Sequence, residues 1–505
     1  MPAKIFKEIF RMDKAQKLKD IPKKIKIFWK TPPEGRHLNL KEILCLAGGS
    51  MGISFIINVL ALTLTASQIS EIYQIDVLHG PAIVLISSVL SLIAQPFFGK
   101  LLQNTNTRWG RYKPYLLFLA PVIGALGIAA TWLPQGLDEQ ARTIYAYVTC
   151  TPSLLLWGIW QNTFNMLPAV ITPNQQERTD IWSPIGLVLG FAPTVLNFIK
   201  GFIRGYYIRQ GMEFMAFRVM GLISVAMGLA LVFLILKVKE RIIQTAENNE
   251  RIKMSEGLRL VMKNKPLMVL TLALLLGCMR ECVGMDAEIM GRLRFASTID
   301  RGGEIFSSLT LIIGFAATPN MILLPLFTRK FNNKTILMFW ASLNAVSYII
   351  LAIIGVQNIP QGATSAVVIT IMRFIALFNA TGSLLPLMLS ELFDYQQYIS
   401  GKRLEGFIQI FAYSIVGLFA NLANFALSFV KQALGYQPKN YFNVQTVSEE
   451  LMNAATNYYN VAFLVSGISA ALMFLVLIFY GLTKKKHAEA VNALTEQSGG
   501  ELSNN

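Results

Sequence analysis

The chain alternates long apolar blocks with short polar breaks, and each block has about the length a helix needs to cross a hydrocarbon core of about 30 Å. Twelve such blocks predict twelve spanning helices, over residues 42–66, 80–102, 112–132, 143–171, 183–202, 215–237, 266–290, 305–329, 334–356, 363–390, 404–433 and 458–482. An even number of crossings places both termini on one side. The polar remainder reads as a basic N-terminal segment (1–41), a linker (238–265) between bundles 42–237 and 266–482, and a tail (483–505).

Composition narrows this further. Of 505 residues 53% are hydrophobic and 15% charged, against about 25% charged in soluble chains. That excludes an ordinary soluble enzyme, a disordered chain and a disulfide scaffold. The net charge of +16 would suit nucleic acid, but its distribution favours topology. Of the 45 Lys and Arg, 33 fall on the side of the termini and 7 on the opposite side. The other five, Lys200, Arg218, Arg280, Arg373 and Lys431, lie within spans. Basic loops stay in the cytoplasm, so both termini are expected there, in a multi-pass cell membrane protein that needs no nucleic acid. No secretory signal pattern precedes the first span. Ile5, Phe6, Ile9 and Phe10 share one helical face among Lys4, Lys7 and Arg11; this suits either a helix on the anionic inner leaflet or a soluble basic tail. Four cysteines are too few for a disulfide framework. Cys278 and Cys282 read as core thiols, and no His accompanies them to hold a metal.

The two halves repeat. Gly99-Lys100 … Thr107-Arg108-Trp109-Gly110-Arg111-Tyr112-Lys113-Pro114 follows the second span, and Thr328-Arg329-Lys330-Phe331-Asn332-Asn333-Lys334 follows the eighth. Leu167-Pro168 and Leu385-Pro386 end the fourth and tenth. Six plus six spans in parallel orientation is the all-α architecture of major facilitator transporters, which rock about a central site. On the cytoplasmic side Arg108, Arg111, Lys113 and Arg178 could pair with Glu391, Asp394 and Glu405 to close an inner gate; the alternative is that they serve only as topology signals and lipid contacts.

The stretch Thr107-Arg108-Trp109-Gly110-Arg111-Tyr112-Lys113-Pro114-Tyr115 resembles the glycoside–pentoside–hexuronide:cation symporters, the melibiose permease-like branch of the major facilitators. Leu167-Pro168 … Glu177-Arg178 and Asp394-Tyr395 … Gly401-Lys402-Arg403-Leu404-Glu405-Gly406 are similar to the family's pattern too. The resemblance runs from about residue 40 to 480 and implies uptake of a sugar, driven by sodium or protons. The family's working residues are replaced. Its two second-helix cation-site acids fall at Ser91 and Gln95, before Pro96-Phe97-Phe98-Gly99. Its fourth-helix acid falls near Gln161, its first-helix sugar-binding acid at Ser54, and its fifth- and eleventh-helix bases near Gly186 and Gly417. Ser and Gln carry no charge to neutralise sodium and do not titrate, so no family-type cation site is expected on the second helix.

Charges deep in a span are functional candidates, because each costs about 2.5–3.5 kcal/mol on insertion scales. At about 1.5 Å per residue, Arg373 lies about 15 Å into the tenth span, and Arg280 and Glu281 about 21–22 Å from the inner surface in the seventh. Lys200, Arg218 and Lys431 are read as snorkelling near the outer ends, and Asp286 and Glu288 as wet. Glu281 either pairs with Arg373 structurally or is a titrating coupling group, with Arg373 or Arg280 facing the solute. Among neutral polar residues, Gln161, Asn162 and Asn165 cluster on the fourth span and Asn421 and Asn424 on the eleventh, near Gln409 and Tyr413; Asn58, Asn197, Asn320 and Asn379 join them. Such amides suit sugar hydroxyls, and Trp157 and Trp160 could stack on a sugar face; interhelical hydrogen bonding is the plainer role.

The three His lie in tails or loops and no Walker-type loop occurs, so neither an enzyme nor an ATP-driven pump is expected, and no cofactor. The expected function is a monomeric transporter of a small polar solute, a sugar or glycoside, by alternating access. The substrate-binding set is Ser54, Trp157, Gln161, Asn162, Arg280, Arg373 and Asn421, with Glu281 for coupling to a proton, if not sodium. Alternatives are an exporter of amphipathic solutes or lipids, and a non-transporting receptor on the same scaffold.

Overall fold

The computed structural model describes residues 29, 31–32, 36–63, 66–105, 107–133, 136–172, 175–241, 254–402 and 404–497. The N-terminal amphipathic face over residues 5–10 lies outside them. The described residues are helical nearly throughout, and apolar sequence of this kind has no other option in lipid, where every backbone N–H and C=O must be satisfied within the protein.

In order, the first six crossings are Leu40–Thr63, His79–Asn104, Lys113–Thr131, Glu139–Ile171, Gln175–Arg209 and Glu213–Val232, the last drawn out by a 3-10 turn Phe233–Lys237. A short helix, Ala66–Tyr73, continues the first. The last six are Lys265–Leu276 with Ala287–Arg294, Ile299–Gly314 with Thr318–Lys330, Asn333–Ile354, Ala363–Ala376 with Thr381–Ser400, Glu405–Gln409 with Val416–Ala433, and Glu449–Leu477. Among the described residues, nine helical stretches, some counted across a short break, are long and apolar enough to cross a membrane. A tail helix, Lys484–Gln497, follows. Polar side chains start several of these helices by accepting an otherwise orphaned N–H: Asp138 from Ala141, Asn264 from Leu267 and Ser448 from Leu451.

The internal repeat is written into the packing. Lys113, at the start of the third span, donates to the carbonyl of Val238 at the end of the sixth, 2.8 Å away. Lys334, at the start of the ninth, donates to the carbonyls of Ile478 (2.6 Å) and Tyr480 (3.1 Å) beyond the twelfth. The same charge closes the same corner of each six-helix set.

Two spans depart from the continuous helices expected over 266–290 and 363–390. The seventh stops at Leu276, turns through Gly277 and resumes at Ala287. Its open backbone is taken up by the twelfth span: Ser469 Oγ donates to the Leu276 carbonyl (2.5 Å) and accepts from Met279 N (3.2 Å). The tenth stops at Ala376 and restarts at Thr381, where Asn379 Oδ1 accepts from the Thr381 N–H (3.3 Å) and hydroxyl (3.0 Å). Gly277 and Asn379 supply the breaks, since glycine weakens a helix and Asn offers its backbone a competing partner. The eleventh span carries a π-helical stretch, Ile410–Ile415, a form common at functional sites.

Candidate functional site

The breaks in the seventh and tenth spans meet at one place. There Glu281 accepts from Asn344 Nδ2 (2.6 Å) and from the Tyr348 hydroxyl (3.2 Å), both on the ninth span. Asn344 Nδ2 also donates to the Ala376 carbonyl at the tenth-span break (3.3 Å). Arg373 is 7% exposed and its guanidinium lies against the same Tyr348 hydroxyl. Arg280 turns back to the Gly277 carbonyl (2.9 Å). Glu281 and Arg373 thus share Tyr348 without an ion pair within 4 Å. Because the seventh span is broken, depth counted along a continuous helix does not apply to Arg280 and Glu281.

On the side opposite the termini, six charges join the first six spans to the last six. Arg204 contacts Glu71, Glu213 (2.5 Å) and Glu288 (2.6 Å). Arg292 contacts Glu71 (2.8 Å) and Glu213 (3.2 Å), and Lys200 contacts Glu288 (2.7 Å). Three bases meet three acids, and all but Glu288, with its side chain 19% exposed, are buried. Next to them Lys431 reaches Asp286 (2.7 Å) and, across the boundary, Ser67 (2.6 Å). Tyr458 donates to the same Asp286 oxygen (2.6 Å). Gln437–Asp76 (3.1 Å) and Lys439–Glu139 (2.7 Å) extend the seam. Lys200 and Lys431 therefore do not snorkel, and Asp286 and Glu288 are not simply wet: each is held by an opposite charge.

On the termini side the basic and acidic gate candidates have partners within their own sets of spans. Lys113 is bound to Val238, Arg108 lies over the Trp109 ring (5.4 Å), and Arg111 interacts with Tyr112. Glu391 accepts from Asn333 (2.8 Å), and Asp394 faces His487 of the tail helix (3.0 Å). The side chains of Arg178 and Glu405 lie outside the described set. The start of the linker clamps the first set: Glu240 accepts the N–H groups of Arg111, Tyr112 and Lys113 (2.7, 3.2 and 3.1 Å), and Arg241 grips Glu42 (2.8 Å).

Between these levels Asn421 Nδ2 donates to Ser88 Oγ (2.6 Å), tying the eleventh span to the second. Gln161 donates to Asn165 Oδ1 (3.1 Å) one turn on, and Asn162 is half-buried. Trp157 is half-buried with its indole N–H unpartnered, whereas Trp160 is buried and donates to the Leu116 carbonyl (2.9 Å). Ser54 is buried within the first set. Ser91 faces Gly158 of the fourth span, where an added Cβ would sit 2.6 Å from its hydroxyl. Gln95's side chain lies outside the described set.

The far-side network was missed in the sequence because Arg204 and Arg292 were counted as loop residues. One signal was available: the bases on that side are matched by acids nearby, which positive-inside counting ignores.

Three comparisons with known proteins extend the picture. A family described as "MFS/sugar transport protein" matches residues 45–484. Among curated relatives, the glucuronide carrier protein homolog of Escherichia coli (strain K12) is 22% identical, over 90% of this chain and 95% of that protein. The isoprimeverose transporter of Lactiplantibacillus pentosus is 20% identical, over 85% and 88%. Among solved structures, a D-xylose-proton symporter aligns with a TM-score of 0.59 at 15% identity, over 88% of this chain and 98% of that one. A bacterial homolog of the lysosomal transporter Spinster, inward-facing and unoccupied, aligns with a TM-score of 0.59 at 11% identity, over 89% and 97%. These likenesses give the fold.

Proposed function

We infer the activity from family membership: this chain belongs to the MFS/sugar transport protein family, and it is a multi-pass membrane transporter, not an enzyme. Its solute is a sugar or glycoside, carried by alternating access. The names of the glucuronide and isoprimeverose relatives support that class. Residues 42–237 and 266–482 move as two bodies joined by linker 238–265, with both termini in the cytoplasm of a bacterial-type cell.

The observation that carries this reading is the latch on one side of the seam: a buried network of Lys200, Arg204, Glu71, Glu213, Glu288 and Arg292 ties the first six spans to the last six. A rocking transporter needs one face shut while the other admits solute; the shut face here is the outer one. Arg108, Arg111, Lys113 and Arg178 then meet Glu391, Asp394 and Glu405 in the opposite state. Ser54, Trp157, Gln161, Asn162, Arg280, Arg373 and Asn421 surround the solute. Trp157 is the strongest of these, since its unpartnered indole N–H suits a hydroxyl oxygen.

The test is uptake of a panel of radiolabelled sugars, including a methyl glucuronide and isoprimeverose, into proteoliposomes with and without sodium and pH gradients. Saturable flux of at least one sugar is expected. Binding without flux would replace the transporter by a receptor, and flux of lipids alone by an exporter.

A further inference from the structure

We propose that Glu281 is the coupling site of this transporter and that it takes a proton, held as a carboxylic acid, instead of a metal cation. The proposal rests on the transport reading and deepens it.

The buried acids of the far-side network each face a base: Glu71 and Glu213 face Arg204 and Arg292, Glu288 faces Lys200 and Arg204, and Asp286 faces Lys431. Each is held in an ion pair. Glu281 is different. Its two oxygens are held by an amide and a phenol, and among the described residues no base comes within 4 Å. A carboxylate whose direct partners are an amide and a phenol is the one that a proton can neutralise without breaking an ion pair.

The partners also select the ion. Asn344 Nδ2 is committed to two acceptors, the Glu281 carboxylate and the Ala376 carbonyl, so its hydrogens face the acid. Tyr348 presents its hydroxyl hydrogen. Sodium needs oxygen acceptors converging on one point; this carboxylate is ringed by donors. Among the buried polar atoms of the ninth and tenth spans that remain without a partner are Arg373 Nε, Asn344 Oδ1 and Thr370 Oγ1. Their residues are 7%, 2% and 5% exposed. Unpaired atoms this deep are places for water, and water there would carry protons to the carboxylate.

Charged and titratable groups face Glu281 from each packed element. Arg280 and Cys282 lie on its own stretch, Tyr348 on the ninth span and Arg373 on the tenth. Lys431 on the eleventh is neutralised by Asp286, and the twelfth offers the neutral Ser466 and Ser469. Protonation forms one O–H bond on the Glu281 carboxylate and removes its charge. The grip on Asn344 and Tyr348 then weakens, and with it the joint that ties the seventh-span break to the tenth-span break.

The experiment is an infrared pH titration of the full chain in lipid, with Glu281→Gln and Glu281→Asp beside the wild type. A protonated-carboxyl C=O band that appears on acidification is expected in the wild type, absent in Glu281→Gln and restored at a shifted frequency in Glu281→Asp. Sodium should leave the band unmoved. Liposomes loaded with a pH dye provide the coupling readout: a transported sugar should drive proton movement in wild type and Glu281→Asp and not in Glu281→Gln. A wild-type-minus-Glu281→Gln difference spectrum without a titrating carboxyl band, or suppression of that difference band by sodium, overturns the proposal. If no sugar moves in the wild type, the transport reading fails, and the infrared titration still decides whether Glu281 binds a proton.

Discussion

Arg204 on the fifth span and Glu288 on the seventh meet across the boundary between the two six-span sets, Nη1 2.6 Å from Oε1. Neither residue has this partner if the two sets separate on that side, so the contact belongs to one conformational state. Glu288→Gln removes the acid that Lys200 and Arg204 share while leaving Arg204 on Glu71 and Glu213. Hydrogen bonds to charged groups contribute about 1.5–3 kcal/mol each, and about 1.4 kcal/mol is tenfold in a population. The variant should open the far side at least about tenfold more often. A cysteine placed at the buried Ala66 and titrated with a membrane-impermeant maleimide reads this directly; unchanged reactivity would remove the latch.

Glycine spacing makes a second, steric prediction at the same seam. A Cβ at Gly201 on the fifth span would collide with the Ser307 side chain and lie 3.1 Å from the Gly303 carbonyl on the eighth. Small residues let spans approach closely. Gly201→Val should therefore wedge these spans apart and raise Ala66→Cys reactivity, with no change of charge. Reactivity equal to that of the parent would show that the contact is not needed for closure.

The two fourth-span tryptophans should separate cleanly. Trp160→Phe removes the buried indole's hydrogen bond to the Leu116 carbonyl, worth about 0.5–1.5 kcal/mol, so the thermal midpoint falls while apparent sugar affinity holds. Trp157→Phe loses no bond within the protein, so stability holds and affinity falls. Melting curves and concentration-dependent uptake check both; the reverse pattern would move the solute away from Trp157.

The tail helix supplies a pH dependence outside the spans. Hydrogen bonding to Asp394 raises the His487 pKa above its ordinary 6.5, against a smaller opposing effect of burial. A base whose pKa rises on docking contributes fully below its undocked value and loses that contribution as pH climbs through the raised one. Docking of Lys484–Gln497 should thus weaken above pH 6.5. Amide exchange over that helix should quicken with alkalinity beyond its chemical trend, and His487→Ala should abolish the excess.

Apolar periodicity disclosed the twelve crossings because crossing a bilayer leaves no alternative to long apolar helices. The repeat was equally legible, and Lys113 and Lys334, matched by spacing, occupy equivalent corners. The breaks were not legible. Gly277 and Asn379 are tolerated inside many helices, and only Ser469 and Asn344, brought from distant spans, make stopping there affordable. Arg280, Glu281 and Arg373 stood out as deep charges, but that Tyr348 lies between Glu281 and Arg373 depends on how three spans pack. The far-side network escaped for the same reason: its members come from four separate helices.

That network also has an electrical property. Lys200, Arg204, Glu71 and Glu213 all belong to the first six spans and together carry no net charge; Glu288 and Arg292 belong to the last six and also cancel. Parting the two sets moves no net charge with either. The membrane potential, worth about 2.3 kcal/mol per elementary charge at 100 mV, finds nothing to pull on in these six residues. The six-residue latch itself should therefore hold equally well in an energised and a de-energised membrane.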